Sequence, residues 1–337
     1  MGNVSPKSSI LIGCPFYNRD VLRRFKGFSP RPNSGQASSP QIDGDQAIAA
    51  MFDMSPLERR RYLSEHSSKP RFFYKFRAFS SEERLRSQLV RNEIFLSSPR
   101  DFNDPFDMRG KVVIKGGIKA FERKLQATPM NSDERREKIK DARDGVKSEG
   151  GLQAYVTRKY GPIDQSFEKT IEQCGVYCFA SHFASQGKRE RLSGPRSNLM
   201  WSHYGDSHKG YCLQYSVHTD PVFVKSLEVV YGSEYPVINW LSDRYNDDMH
   251  KCLRQKDRCW AYESEWRFIQ PGSAKKLLPI NPTGIKSILI GAEATPQSIQ
   301  LVMQMAHERD SLLGVKTNVF QAKRSETQYC LSFTKLK

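Results

Sequence analysis

Two acidic residues spaced two apart, Glu263 and Glu265, stand in the segment Trp260-Ala261-Tyr262-Glu263-Ser264-Glu265-Trp266-Arg267. On a β-strand, residues i and i+2 point to the same face. Strict alternation would set both carboxyls beside Arg267, opposite Tyr262, Ser264, Trp266 and Phe268. One carboxylate of such a pair can hold a hydroxyl while the other receives a proton. Early in the chain, Tyr74-Lys75-Phe76-Arg77 places Lys75 and Arg77 on one strand face. A guanidinium binds two oxygens of a phosphate or carboxylate with its planar fork, and Tyr74 or Phe76 offers a stacking surface. The same alternation also describes polar strand faces with ordinary cross-strand ion pairs. Residue types alone leave both readings open.

Other segments add polar groups. Phe95-Leu96-Ser97-Ser98-Pro99 brings Ser97 to a strand edge. Phe102-Asn103-Asp104-Pro105-Phe106-Asp107 is a turn signal, with Asn103 or Asp104 able to contact a ligand. Met200-Trp201-Ser202-His203-Tyr204 and His208 form an aromatic and histidine cluster. His203 is a candidate acid or base near neutral pH, and a histidine satisfied within aromatic packing fits as well. Cys174, Cys178 and His182 recur every four residues in a strand-like segment, without the tight pairs and fourth ligand of a zinc site. No metal is assigned. Lys188, Arg189, Arg191 and Arg196 make a basic loop that is either solubilising or a contact for an anionic ligand.

The elements that must position these groups can be read coarsely. Ser55-Pro56-Leu57-Glu58 is a capping box opening a helix near Met54. Arg71–Phe79 and Ile94–Ser97 read as strands, Ser81–Arg91 as a helix and Val112–Lys115 as a further strand. Charges of both signs at helical spacing make 118–173 a helical insertion. Strands then dominate, at Val176–His182, Gly210–Tyr215, Leu227–Tyr231, Glu265–Ile269, Ile285–Ile290, Val315–Gln321 and Gln328–Phe333. Helices at Asp243–Arg258 and Thr295–Arg309 separate some of them. Strands and helices without a regular βαβ rhythm imply an α+β fold with a mixed, mainly antiparallel sheet core.

The chain has 337 residues, a formal charge of +16 and a mean hydropathy of −0.64. No apolar run approaches the roughly 20 residues of a membrane-spanning helix, so a spanning segment is not expected. Seven irregularly spaced cysteines point to a reducing compartment rather than a disulfide scaffold. The basic excess implies attraction to something anionic. Residues 1–46 hold seven Ser, five Pro and five Gly and no sustained apolar period. We read 1–53 as a disordered leader and 54–337 as one α+β domain.

Four motifs in order, Tyr74-Lys75-Phe76-Arg77, Phe102-Asn103-Asp104-Pro105-Phe106, Met200-Trp201-Ser202-His203-Tyr204 with His208-Lys209-Gly210, and Tyr262-Glu263-Ser264-Glu265-Trp266-Arg267, resemble the domain-of-unknown-function 2971 family over about 71–334. That family name brings no activity. The order of basic-aromatic strand, Ser97-Ser98 and late Glu263-Ser264-Glu265 is also similar to ADP-ribosyltransferase folds. In those, a split sheet binds NAD, with His or Arg where Lys75 stands here; Arg77 would take that part. The resemblance implies Glu265 as the preferred catalytic carboxylate, Glu263 as its helper and His203 as a further candidate. It implies Tyr74, Lys75, Arg77, Ser97 and Asn103 around the NAD. Departure of nicotinamide leaves an oxocarbenium-like sugar that a carboxylate stabilises. Glu265→Ala is then expected to remove activity and leave thermal stability largely intact.

The leader carries no acidic residue before Asp20 and resembles the export leaders of type III effectors. That implies delivery into a host cell, with the bacterial cytoplasm as the other location, and a host protein or nucleic acid as acceptor. Gly2 lacks the Ser or Thr at position 6 that favours myristoylation, Pro6 standing there instead. Two other classes stay open. One is a basic nucleic-acid-binding protein or nuclease, in which Asp104, Asp107, Glu263 and Glu265 could serve Mg²⁺. The other is a non-catalytic interaction module, favoured if the Glu263 and Glu265 face is exposed with no cleft beside Arg77.

Overall fold

The computed structural model describes residues 44–182, 194–242 and 244–337. The first helix, α1 (Gly44–Phe52), lies within the stretch read as leader. Ile48 and Met51 are buried against Leu63 and Val224, so folded structure begins before Met54. The apolar residues of this short helix gave no repeat long enough to read. Next comes α2 (Pro56–His66), closed by the expected box: Glu58 N–H donates to Ser55 Oγ at 3.3 Å and Ser55 N–H to Glu58 Oε2 at 3.0 Å.

The strand β1 (Phe72–Arg77) leads into α3 (Glu82–Leu89), β2 (Glu93–Phe95) and β3 (Lys111–Val113). Residues 118–173 form α4 (Ile118–Ala127), α5 (Ser132–Ser148), α6 (Leu152–Tyr160) and α7 (Ile163–Glu172). Their apolar stripes close on Phe121, Leu125, Tyr155 and Phe167, and their charged faces carry ion pairs such as Arg143 with Glu122. After them come β4 (Gly175–Phe179), α8 (Asn198–Tyr204), β5 (Tyr211–Ser216), α9 (Pro221–Lys225), β6 (Leu227–Glu228), β7 (Val230–Gly232) and β8 (Val237–Asn239). The rest is α10 (Tyr245–Arg254), β9 (Gln255–Asp257), β10 (Trp266–Gln270), β11 (Leu277–Pro279), β12 (Ile285–Ile290), α11 (Pro296–Leu313), β13 (Asn318–Arg324) and β14 (Leu331–Lys335).

The fold is α+β, with mostly antiparallel pairing. The two larger sheets have the orders β1-β5-β12-β13-β14 and β4-β10-β6, and β11-β2, β3-β8 and β7-β9 form two-stranded ones. The crossover through α11 makes β12 and β13 parallel. A shared core of Phe73, Tyr177, Phe179, Leu213, Tyr215, Phe223, Trp266 and Ile288 fills the space between the two sheets and α11. Among the described residues no helix is long and apolar enough to cross a membrane.

Two expectations change close to the late acidic pair. The helix expected over Asp243–Arg258 ends at Arg254, and Gln255–Asp257 becomes β9, paired parallel to β7. Nor is Glu263-Ser264-Glu265 a continuous strand. A 3-10 turn runs over Arg258–Glu263, started by Asp257 accepting from Cys259 N–H, and Ser264 sits in the left-handed region at φ 46°. Only from Trp266 does the backbone join the sheet.

Candidate active site

The two sheets touch edge to edge at one point. Tyr74 and Ala180 exchange backbone hydrogen bonds of 2.9 and 2.8 Å. On the same edge of β4, Val176 exchanges bonds with Ser97 at 2.8 and 2.9 Å. Cys178 lies between these bridges. Backbone groups on one strand edge alternate, so the N–H and C=O of Phe76 and Cys178 face each other across a gap instead of pairing. That gap opens into a cavity of about 340 Å³. Tyr74, Lys75, Arg77, Ser97, Asn103, His203, Glu263 and Glu265 all line it. Sequence reasoning therefore chose side chains separated by up to 191 positions that share one cavity.

One flank is cationic. Lys75 Nζ lies 4.9 Å and the Arg77 guanidinium 5.7 Å from the centre of the Tyr177 ring. Neither makes an ion pair among the described residues, and Arg77 Nε is buried with no hydrogen-bond partner. Both side chains are half-buried, and a desolvated nitrogen without a hydrogen-bond partner is costly. Burial, with the Arg77 charge beside it, pushes the Lys75 amine down to about 8, against the pull of Cys178, Glu265 and Glu263.

The opposite flank is a buried charge cluster. Glu263 accepts from Tyr204 Oη at 2.5 Å and from Lys256 Nζ at 2.6 Å. Lys256 also reaches Glu265 at 3.1 Å and Asp107 at 3.6 Å. Arg267, fully buried, takes Glu265 through Nε at 2.7 Å and Nη2 at 2.9 Å, and Asp107 through Nη2 at 2.6 Å. Three carboxyls thus face two cations. Burial pushes Glu263 above the usual carboxylate range, and the Glu265 charge adds to that against Lys256. Glu265 feels burial too, but Arg267 and Lys256 outweigh it and hold its carboxyl well below that range. Of the two glutamates, Glu263 is the one whose surroundings favour the protonated form, and Glu265 the one whose surroundings favour the carboxylate.

Glu265 is gripped by two nitrogens of Arg267, whereas Glu263 accepts from Tyr204 and Lys256. His203 is exposed at the rim and shares a 2.7 Å hydrogen bond with Tyr262 Oη. Its neighbour Tyr204 is the residue that touches Glu263. Tyr74 Oη is taken by His182 at 2.9 Å and Gln214 at 3.2 Å, and burial pushes its phenol up to about 12. Asn103 stands exposed at the mouth, and Ser97 contributes the backbone bridge. Lys188, Arg189 and Arg191 lie outside the described residues. Lys256 was missed: it falls inside the segment read as a helix, and no spacing singled it out.

A family described as "Protein of unknown function (DUF2971)" matches residues 200–268. This stretch holds Tyr204, Lys256, Glu263, Glu265 and Arg267, hence the acidic flank, but not β1. No curated protein and no solved structure matches the chain.

Proposed function

We propose that the gap between the sheets binds NAD and catalyses ADP-ribosyl transfer, to water or to a macromolecular acceptor. The observation that carries this reading is the placing of two cations without a carboxylate partner among the described residues, Lys75 and Arg77, in one cavity with a buried carboxyl of raised pKa, Glu263. Cavities of roughly 300–1,000 Å³ are the size that takes small ligands, and the nicotinamide-riboside end is the part suited to this one. Arg77 and Lys75 suit the pyrophosphate. Phe76, packed edge-on against Trp201, and Tyr177 supply apolar and aromatic walls for the base.

Glu263 then meets the ribose. Ionised, it stabilises the positive charge that develops as the glycosidic bond breaks. Protonation by the incoming acceptor completes its part as a base. Lys256 and Tyr204 keep it oriented, and Glu265 with Arg267 keeps Lys256 in place. The acid-poor leader suits delivery into a host cell. Against a non-catalytic module, Glu263 and Glu265 are buried in a cleft beside Arg77 rather than displayed on a face.

The test is purified full chain with NAD labelled in the adenylate, with and without host-cell lysate and nucleic acid. Nicotinamide release with or without label transfer supports the reading. Intact NAD under all of these conditions refutes it.

A further inference from the structure

Lys75 brings an amine into the cleft with no carboxylate to hold it. Its near neighbours are the Tyr177 ring, the Arg77 guanidinium and the Cys178 thiol, and the far glutamates are bound to Lys256 and Arg267. Residues 75 and 77 share one face of β1, and the two cations lie over the same Tyr177 ring. An amine beside a second cation, in a partly apolar wall, is the setting in which lysines become nucleophiles. Next to it, a guanidinium with a free buried Nε is suited to an oxoanion.

We propose that Lys75 is a nucleophilic lysine that captures anionic carbonyl compounds, such as phosphorylated aldehydes, as an imine, with Arg77 holding the oxoanion. The neutral amine attacks the carbonyl carbon to give a carbinolamine. Loss of one water, made from the carbonyl oxygen and the two amine hydrogens, leaves the C=N bond. No oxidant or reductant is consumed. With its amine pushed down to about 8, Lys75 is about half neutral at pH 8 and mostly neutral at pH 9, where an ordinary surface lysine remains protonated. The inference does not depend on NAD cleavage: it shares Lys75 and Arg77 with the proposed NAD site but makes no use of Glu263.

The probe is pyridoxal 5′-phosphate at limiting dose and pH 8, followed by borohydride, which reduces the imine to a stable secondary amine, and peptide mapping. Lys75 is expected to label ahead of the other lysines. Pyridoxal, which lacks the phosphate, should label it at least about tenfold less, as should the phosphate probe acting on Arg77→Met. Label spread over surface lysines without preference for Lys75 would overturn the proposal. So would equal labelling of Lys75 by pyridoxal and its phosphate in the native chain, a comparison that needs no variant to fold. Protection of Lys75 by ADP-ribose would place capture in the NAD cleft. Capture in a protein that leaves NAD intact would overturn only the NAD reading.

Discussion

Arg267 grips Glu265 with two nitrogens, Nε to Oε1 at 2.7 Å and Nη2 to Oε2 at 2.9 Å, both side chains being buried. Removing one partner of such a pair leaves the other charge buried and uncompensated. Glu265→Ala should therefore cost about 3–5 kcal/mol of stability, measured as a shift of the urea unfolding midpoint. Glu263→Gln keeps the volume and the neighbours, and should cost under about 2 kcal/mol while lowering activity by at least about 100-fold. Equal stability losses in the two variants would remove the division of roles between them.

Acid should expose the same difference. The folded Glu265 carboxyl lies below its unfolded value, so its contribution is present above that value of about 4.5 and is lost as pH falls toward the folded pKa. The wild type should lose stability steeply below pH 4.5. Glu265→Gln should start lower and fall less over the same interval, as read by thermal unfolding at stepped pH.

The sequence disclosed this site through residue type and order more than through local structure. Tyr74-Lys75-Phe76-Arg77 forms a strand as its alternation requires, because Phe73 faces the shared core while Tyr74 packs on the other side with Phe76, Met200 and Trp201. Glu263-Ser264-Glu265 alternates on paper, yet the left-handed Ser264 turns the chain there, and both carboxyls still reach Lys256. A single αL residue leaves no periodic signal. The Lys256 contacts arise from β9, a three-residue strand whose pairing to β7 is non-local and so invisible to a window-based reading.

Arg77 carries a cost that ligand binding would offset. Its Nε is buried without a partner, so Arg77→Met should leave the melting temperature unchanged or raised, since the variant removes a desolvated charge. The same variant should weaken ADP-ribose binding by about 10–100-fold, the worth of a charge-assisted hydrogen bond, measured by titration calorimetry. Full affinity in Arg77→Met would remove Arg77 from the ligand.

Lys75 should make binding pH-dependent. Its charge attracts the anion only while the amine is protonated, so ADP-ribose affinity should fall as pH rises through about 8. Lys75→Met should bind more weakly at pH 7 and lose that dependence. Stability runs the other way. The folded amine releases its proton near 8 while the unfolded chain keeps its own to about 10.5, so the wild type should gain stability between those values relative to Lys75→Met.

Gly210 guards the end of β1. A Cβ there would sit 2.1 Å from the Arg77 carbonyl oxygen and 2.9 Å from that of Gly205. Neither is a flexible side chain, so Gly210→Ala should cost about 1–3 kcal/mol through backbone displacement. It should also weaken ADP-ribose binding, with the Arg77 side chain unaltered. Unchanged melting and binding would show that this contact does not position Arg77.

The most direct measurement is nicotinamide released from NAD by the purified wild-type chain and by Glu263→Gln at matched folded concentration. The account predicts release by the wild type and a loss of at least about 100-fold in the variant, with the variant still binding ADP-ribose. Equal release by both proteins, or none by the wild type, would contradict it.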